Sequence, residues 1–221
     1  MYKIIITEDG SHSVISEKFG VSYHSRHGAV TESIIVFLYA GYDFLRLEGY
    51  KTIDILEMGF GTGLNCFITA IRSEEFNQKT AYHAVEAYPL PKDIWSSLNY
   101  PEIISHENKG VFENLHLCPW NEWTSIHNNF TFVKYHTPIE DFQTAHQFDL
   151  IYHDGFAPSA QEHLWERSIL QKFYQMLRPG GVLVTYCSKG SFKRNLMEIG
   201  FLVENLPGPP GKREITRARK V

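Results

Sequence analysis

Cysteine is scarce in this chain. There are three, Cys66, Cys118 and Cys187, far apart and with no CxxC pair. An odd, dispersed set excludes a disulfide framework and fits a reducing cytoplasm. Long hydrophobic runs are missing as well. No stretch approaches the ~20 apolar residues of a membrane-spanning helix, and the opening "MYKIIITEDG" has no signal-peptide pattern. Internal repeats and low-complexity segments are absent, so 221 residues read as one domain with a small extension. There is no excess of positive charge either. A net charge of −4 argues against a nucleic-acid binder. The charge is uneven, however: residues 189–221 hold eight Lys/Arg and three Asp/Glu, a local +5 that leaves −9 on the rest. A basic C-terminal face on an acidic body can meet phosphates. A solvated tail would carry the same charge with no partner.

What is present is a strong alternation of apolar patterns. "KIIIT" and "HSVIS" around the turn "EDGS" predict a hairpin. Ile34, Ile35, Phe37 and Leu38 predict a helix from about Ala29. From Thr52 the runs "TIDILEM", "TAYHAVEA", "FTFVKYH", "FDLIYHD" and "GVLVTYC" predict five strands, with helices between them, among them the long amphipathic "QEHLWERSILQKFYQML". "FLVENL" and "REITRARKV" predict two more strands after the helix "SFKRNLMEIG". The expected fold is α/β: a mostly parallel seven-stranded sheet with helices on both faces. Residues 1–50 form a hairpin-and-helix extension, and residues 51–221 the main domain. Residues 100–122, with Pro101 and Pro119, read as an irregular insertion.

The stretch "LEMGFGTGLN" follows the first helix-flanked strand, where open α/β sheets bind ligands. A dinucleotide turn reads GxGxxG. Here Gly59, Gly61 and Gly63 are spaced GxGxG after Glu57, and Leu64 stands where the third glycine belongs. That spacing is closer to the turn of class I, Rossmann-like methyltransferases that use S-adenosylmethionine (SAM). SAM has no pyrophosphate; its methionine end needs close backbone approach, which glycine permits. Glu86 ends the second strand, where a carboxylate can accept ribose hydroxyls of either cofactor. "LRPGG" before the fifth strand is typical of SAM methyltransferases, and its role is to stop a helix and turn the chain.

Several motifs together are similar to the methyltransferase of the MnmC family, which modifies the wobble uridine of certain tRNAs. They are "YHSRHGAVTES", "FGTGLN", "VEAYPL", "DGFAP" followed by Trp165, and "GKRE". The resemblance covers nearly the whole chain, with a gap over residues 100–131. It implies SAM as cofactor, held by Glu57, Gly59, Phe60, Gly61, Gly63, Asn65, Glu86 and Asp154. It implies methyl transfer to the exocyclic amine of 5-aminomethyl-2-thiouridine in a tRNA anticodon loop. Bifunctional members add an FAD-dependent oxidase domain. No dinucleotide turn for one is present, so the expectation is a stand-alone methyltransferase, consistent with a monomer and with no obligate protein partner. Two departures stand out: Pro138 occupies the place of an adenine-side Asp, for which Glu140 or Asp141 can substitute, and His153 replaces an apolar residue.

Methyl transfer from a sulfonium depends on positioning and on a neutral amine. A carboxylate beside the fourth strand can accept the amine's hydrogen bond and its proton. Asp154 stands there; the same Asp-Gly pair would also serve as a plain turn. His153 should point the other way along the strand. Phe156 and Trp165 are candidates to stack on the target base or to be core. His24 and Glu32 are candidates to close over the cofactor or amine. Lys212 and Arg213, with Lys189, Lys193 and Arg194, are candidates for the tRNA backbone. His24 and His27 alone do not make a metal site, and no metal is expected. A methyltransferase for a small amine shares every cofactor feature. A non-catalytic SAM-fold module is opposed by Glu86 and Asp154, and an NAD oxidoreductase by the glycine spacing.

Overall fold

"TIDILEM" is apolar toward both sides of its two-residue alternation and is buried from Ile55 onward. Such a strand belongs in the middle of a parallel sheet. The computed structural model, which describes residues 1–221, has it there. Strands β1 (Tyr2–Ile6), β2 (His12–Ser16) and β3 (Val21–Ser22) form a small antiparallel sheet. A continuous helical run follows: α1 (Ala29–Ser33), a π-helical stretch (Ile34–Asp43) and α2 (Phe44–Leu47). Then come β4 (Thr52–Met58), α3 (Leu64–Glu75), β5 (Lys79–Glu86), α4 (Lys92–Trp95), α5 (Tyr100–Ile104) and α6 (Lys109–Leu117). The chain continues through β6 (Thr124–His127), β7 (Phe130–His136), β8 (Phe148–His153) and α7 (Arg167–Met176). It ends with β9 (Leu177–Thr185), α8 (Gly190–Ile199), β10 (Phe201–Pro207) and β11 (Glu214–Lys220).

One sheet takes the order β10-β11-β9-β8-β4-β5-β7-β6. Strands β9, β8, β4, β5 and β7 are parallel, while β11 and β6 run against their neighbours. From β4 the chain moves to β5 on one side and later to β8 on the other. The switch point therefore lies at the carboxyl ends of β4 and β8. Strand alternation sorts the core into two layers. Ile53, Ile55, Tyr82, Tyr152 and Val184 pack under α3, α6 and the π-helical stretch. Leu56, Val85, Ile151 and Leu183 pack under α7 and α8. Each large side chain removed from water contributes about 1.5–3 kcal/mol. The first layer also takes Val14, Val36 and Phe37, so the N-terminal segment shares the core of the main sheet.

The sheet has eight strands rather than seven. The added one, β6, is a four-residue edge strand that pairs only with β7. Residues 100–122 are not irregular. Pro101 sits in the first turn of α5, where its missing N–H costs nothing. Phe112 and Leu115, three apart, bury one side of α6. The long amphipathic run is split: a 3-10 turn (Glu162–Trp165) precedes α7, which starts at Arg167. "LRPGG" ends the helix, with Leu177 as the C-cap of α7, and also enters β9, and the pairing register against β8 shifts across it. Pro179 cannot donate to a ladder, so the strand bulges there.

Candidate active site

Strand β4 ends at Met58 and the chain turns through Gly59, with φ at 92°. A Cβ on Gly59 would stand 2.4 Å from the Asp154 carbonyl oxygen. Only glycine permits this approach, which brings the ends of β4 and β8 together. The Gly59 N–H donates to the Val85 carbonyl at 2.9 Å, and the Asp154 N–H to the Met58 carbonyl at 3.2 Å. The turn is thus tied to both neighbouring strands. Gly61 donates its N–H to the Glu86 carboxylate at 2.8 Å, and Tyr88 donates to the other oxygen at 2.6 Å. Burial raises the Glu86 carboxyl, against the pull of those backbone donors.

Asn65, in the first turn of α3, links two further carboxylates. Its Nδ2 donates to Glu57 Oε1 at 3.0 Å and to Asp154 Oδ2 at 2.7 Å. Its own Oδ1 is buried without a partner. Glu57 is fully buried. Desolvation, and then the charge of Asp154, raise its carboxyl well above the ordinary range. Asp154 is half-buried. Desolvation first, and then Glu32, push its carboxyl up to about 7, while Asn65 and Lys212 act in the opposite sense.

The N-terminal segment covers this corner. His24 Nε2 bonds Thr62 Oγ1 at 2.7 Å, and burial lowers its imidazole to about 4. Glu32 is buried; it accepts the Ser25 N–H at 3.0 Å and forms an ion pair with Lys212. Tyr23 meets the Phe156 ring edge-on at 4.8 Å. Together these groups enclose a cleft of about 860 Å³, counting the solvent at its mouth.

Among the residues singled out in the sequence, His24, Gly59, Phe60 and Gly61 line this cleft, as do Asn65, Glu86, Asp154 and Phe156. The others do not. Glu57 lies behind Asn65. Gly63 is needed for packing: a Cβ there would strike the His116 ring at 2.8 Å, and its φ is 74°. Trp165 is buried against His153, with ring centroids 4.1 Å apart, and donates Nε1–H to the Phe156 carbonyl at 2.7 Å. It supports Phe156 from beneath and offers no free face to a base. Lys212 is occupied by Glu32, and Lys193 by Glu214 at 3.4 Å. Arg213, Lys189 and Arg194 are exposed. His153 is fully buried and lowered to about 3, so it is a packing group. Sequence reading missed Tyr23, Tyr88, Gln161 and His163, which also line the cleft. Tyr88 was within reach, two residues after Glu86. Of the substitutes for the adenine-side Asp, Glu140 lines the cleft beside Pro138 and Asp141 does not.

A sheet with its glycine turn at the β4/β8 switch point, opposite a strand-end glutamate, is the arrangement of a class I SAM-dependent methyltransferase. Residues 123–221 match a family described as S-adenosyl-L-methionine-dependent methyltransferase. Over 213 residues the chain is 30% identical to the tRNA 5-methylaminomethyl-2-thiouridine biosynthesis bifunctional protein MnmC of Nitrosospira multiformis, covering 90% of this chain and 34% of that protein. The counterpart from Aromatoleum aromaticum is 26% identical, with 98% and 35% covered. The crystal structure of MNMC2 from Aquifex aeolicus superposes with a TM-score of 0.79 at 25% identity, covering 99% of this chain and 70% of that one. SAM-bound CalS10 from Micromonospora echinaspora, at 11% identity and TM-score 0.51, shares the fold. The chain matches the methyltransferase part of MnmC bifunctional proteins, and it spans about a third of the length of the curated relatives it matches.

The cofactor is SAM, and the cleft fits it. Asn65 lines the cleft, and its unpartnered, buried Oδ1 is an acceptor of the kind an ammonium group needs. Glu86 is a carboxylate at the cleft, fixed by two backbone amides, with the acceptor chemistry that hydroxyls need. No helix of the chain is long and apolar enough to cross a membrane.

Proposed function

We propose that the chain methylates the aminomethyl nitrogen of 5-aminomethyl-2-thiouridine at the wobble position of tRNA, giving 5-methylaminomethyl-2-thiouridine. The observation that supports this most is the Asp154 carboxylate lining the cleft, held at 2.7 Å by the Asn65 amide, with burial raising it to about 7. The names of the relatives point to the same product.

Bound SAM supplies an electrophilic methyl group. In this reading Glu86 holds ribose hydroxyls, kept in place by the Gly61 and Tyr88 amides. Asn65 offers its free carbonyl to the cofactor's ammonium while its amide fixes Asp154. A primary alkylamine enters mostly as ammonium, since such amines titrate near 10. Asp154 accepts its hydrogen bond and then its proton, so that the nitrogen lone pair is free to bond carbon. A carboxyl near 7 takes that proton more readily than one near 4. Phe156 forms a wall of the cleft beside the entering base. His24 is too weak a base to compete for the proton.

Transfer of labelled methyl from SAM to tRNA from cells lacking this activity, in competition with small primary amines, tests the reading. The expected result is label in tRNA, undiminished by the amines. The occupation of Lys212 and Lys193 by carboxylates leaves few free cations on the C-terminal face and favours the small-amine alternative. Label in the amines and none in tRNA would establish that alternative.

A further inference from the structure

The mouth of the cleft carries an aromatic arc that extends outward from Phe156, beyond what methyl transfer itself needs. It starts at Tyr88, which is 43% exposed. Phe19, from the turn between β2 and β3, lies 5.4 Å from Tyr88 and 4.9 Å from Phe156, centroid to centroid. Phe156 in turn meets Tyr23. The arc thus runs from the Glu86 side of the cleft to the Asp154 side. Lys18, exposed in the same turn, holds its ammonium 3.5 Å from the centre of the Tyr88 ring.

We infer that this arc, Lys18–Phe19–Tyr88, is a subsite for a nucleotide adjoining the target uridine. This rests on the tRNA reading above. Three observations favour a flanking nucleotide. The arc is continuous with the cleft, since Tyr23, Tyr88 and Phe156 line both. Aromatic rings at a mouth stack unpaired bases, whatever their identity. Lys18 is a cation already seated on a ring face, and when a base takes that face the ammonium is released toward the base's own phosphate. The arc supplies positive charge and stacking on a chain whose net charge is −4, and it does so at the cleft rather than on the C-terminal tail.

The test is steady-state methyl transfer to undermethylated tRNA with wild type, Phe19→Ala and Lys18→Gln, together with SAM affinity by titration. Phe19→Ala is expected to raise KM for tRNA about tenfold, the size of one lost base stack. Lys18→Gln is expected to reduce the slope of log KM against log salt by about 0.7, one phosphate contact on a single strand. SAM affinity stays at the wild-type value in both. Lys18 is exposed, so its variant carries the test even if Phe19→Ala melts early. Unchanged KM and unchanged salt slope, with a wild type that methylates tRNA, would overturn the subsite alone. Weaker SAM binding in step with the rise in KM would reassign the arc to the cofactor. A wild type that transfers nothing to tRNA would remove the tRNA reading and the subsite together.

Discussion

Asp154→Asn should make the protein more stable above neutral pH while stopping methyl transfer. The Asp154 carboxyl is pushed from 3.8 up to about 7, mainly by burial. At about 1.4 kcal/mol per pH unit, that gap corresponds to about 4 kcal/mol by which the ionised carboxylate destabilises the fold. Asp154 is only half-buried and asparagine bonds Asn65 less strongly than a carboxylate does, so a gain of about 2–3 kcal/mol is the expectation. The sign follows from where each state loses its proton. Below 3.8 both the folded and the unfolded chain keep it, and the two proteins differ little. Between 3.8 and 7 the unfolded chain ionises while the folded one does not, so wild type loses ground with each unit of rising pH. Above 7 both are ionised and the difference is constant. For a chain of this size the gain corresponds to a rise of about 5–10 °C in Tm at pH 8. Calorimetric melts without SAM, from pH 4 to 8, would show a gap that opens between 4 and 7 and then levels. Equal melting at pH 8, or a gap independent of pH, would refute the burial account. Methyl transfer by the variant should fall at least about a hundredfold.

Glu32 and Lys212 act on Asp154 with opposite signs. Glu32→Gln should move the acidic limb of the kcat/KM profile to lower pH, and Lys212→Met should move it higher; shifts of the same sign would remove both from the site's electrostatics. Gly59→Ala places a Cβ 2.4 Å from the Asp154 carbonyl at a φ of 92°. It should lower stability by about 2 kcal/mol or more and weaken SAM binding by calorimetric titration. Trp165→Phe removes the donor to the Phe156 carbonyl. It should lower stability by about 1 kcal/mol in a denaturant melt and leave KM for tRNA unchanged, whereas a base-stacking role would raise that KM.

The central strands were legible because strands buried over most of their length carry apolar residues on both faces, and Thr52–Met58 and Phe130–His136 have the bounds that their runs imply. The glycine-turn side of the cleft was legible for a related reason: the spacing of Gly59 and Gly61 and the position of Glu86 are local requirements of one turn and one strand end. Long-range partnerships were not. Glu32 and Lys212 are 180 positions apart, and charge alone reads each as a surface group. Trp165 has no signal in its own segment that separates stacking on a base from stacking on His153. Gly63 is required by His116, which comes from α6, a helix with only two buried residues to announce it. Strand β6 is short, polar and paired on one side, so it lacks the pattern that marked the others.

The most direct test of the account is the nucleoside product. Undermethylated tRNA would be incubated with SAM and either wild type or Asp154→Ala, then digested and its nucleosides resolved by mass. The account predicts one methyl gained on 5-aminomethyl-2-thiouridine with wild type, and none with the variant, although SAM still binds. Full transfer by Asp154→Ala, or a methyl on any other nucleoside, would contradict it.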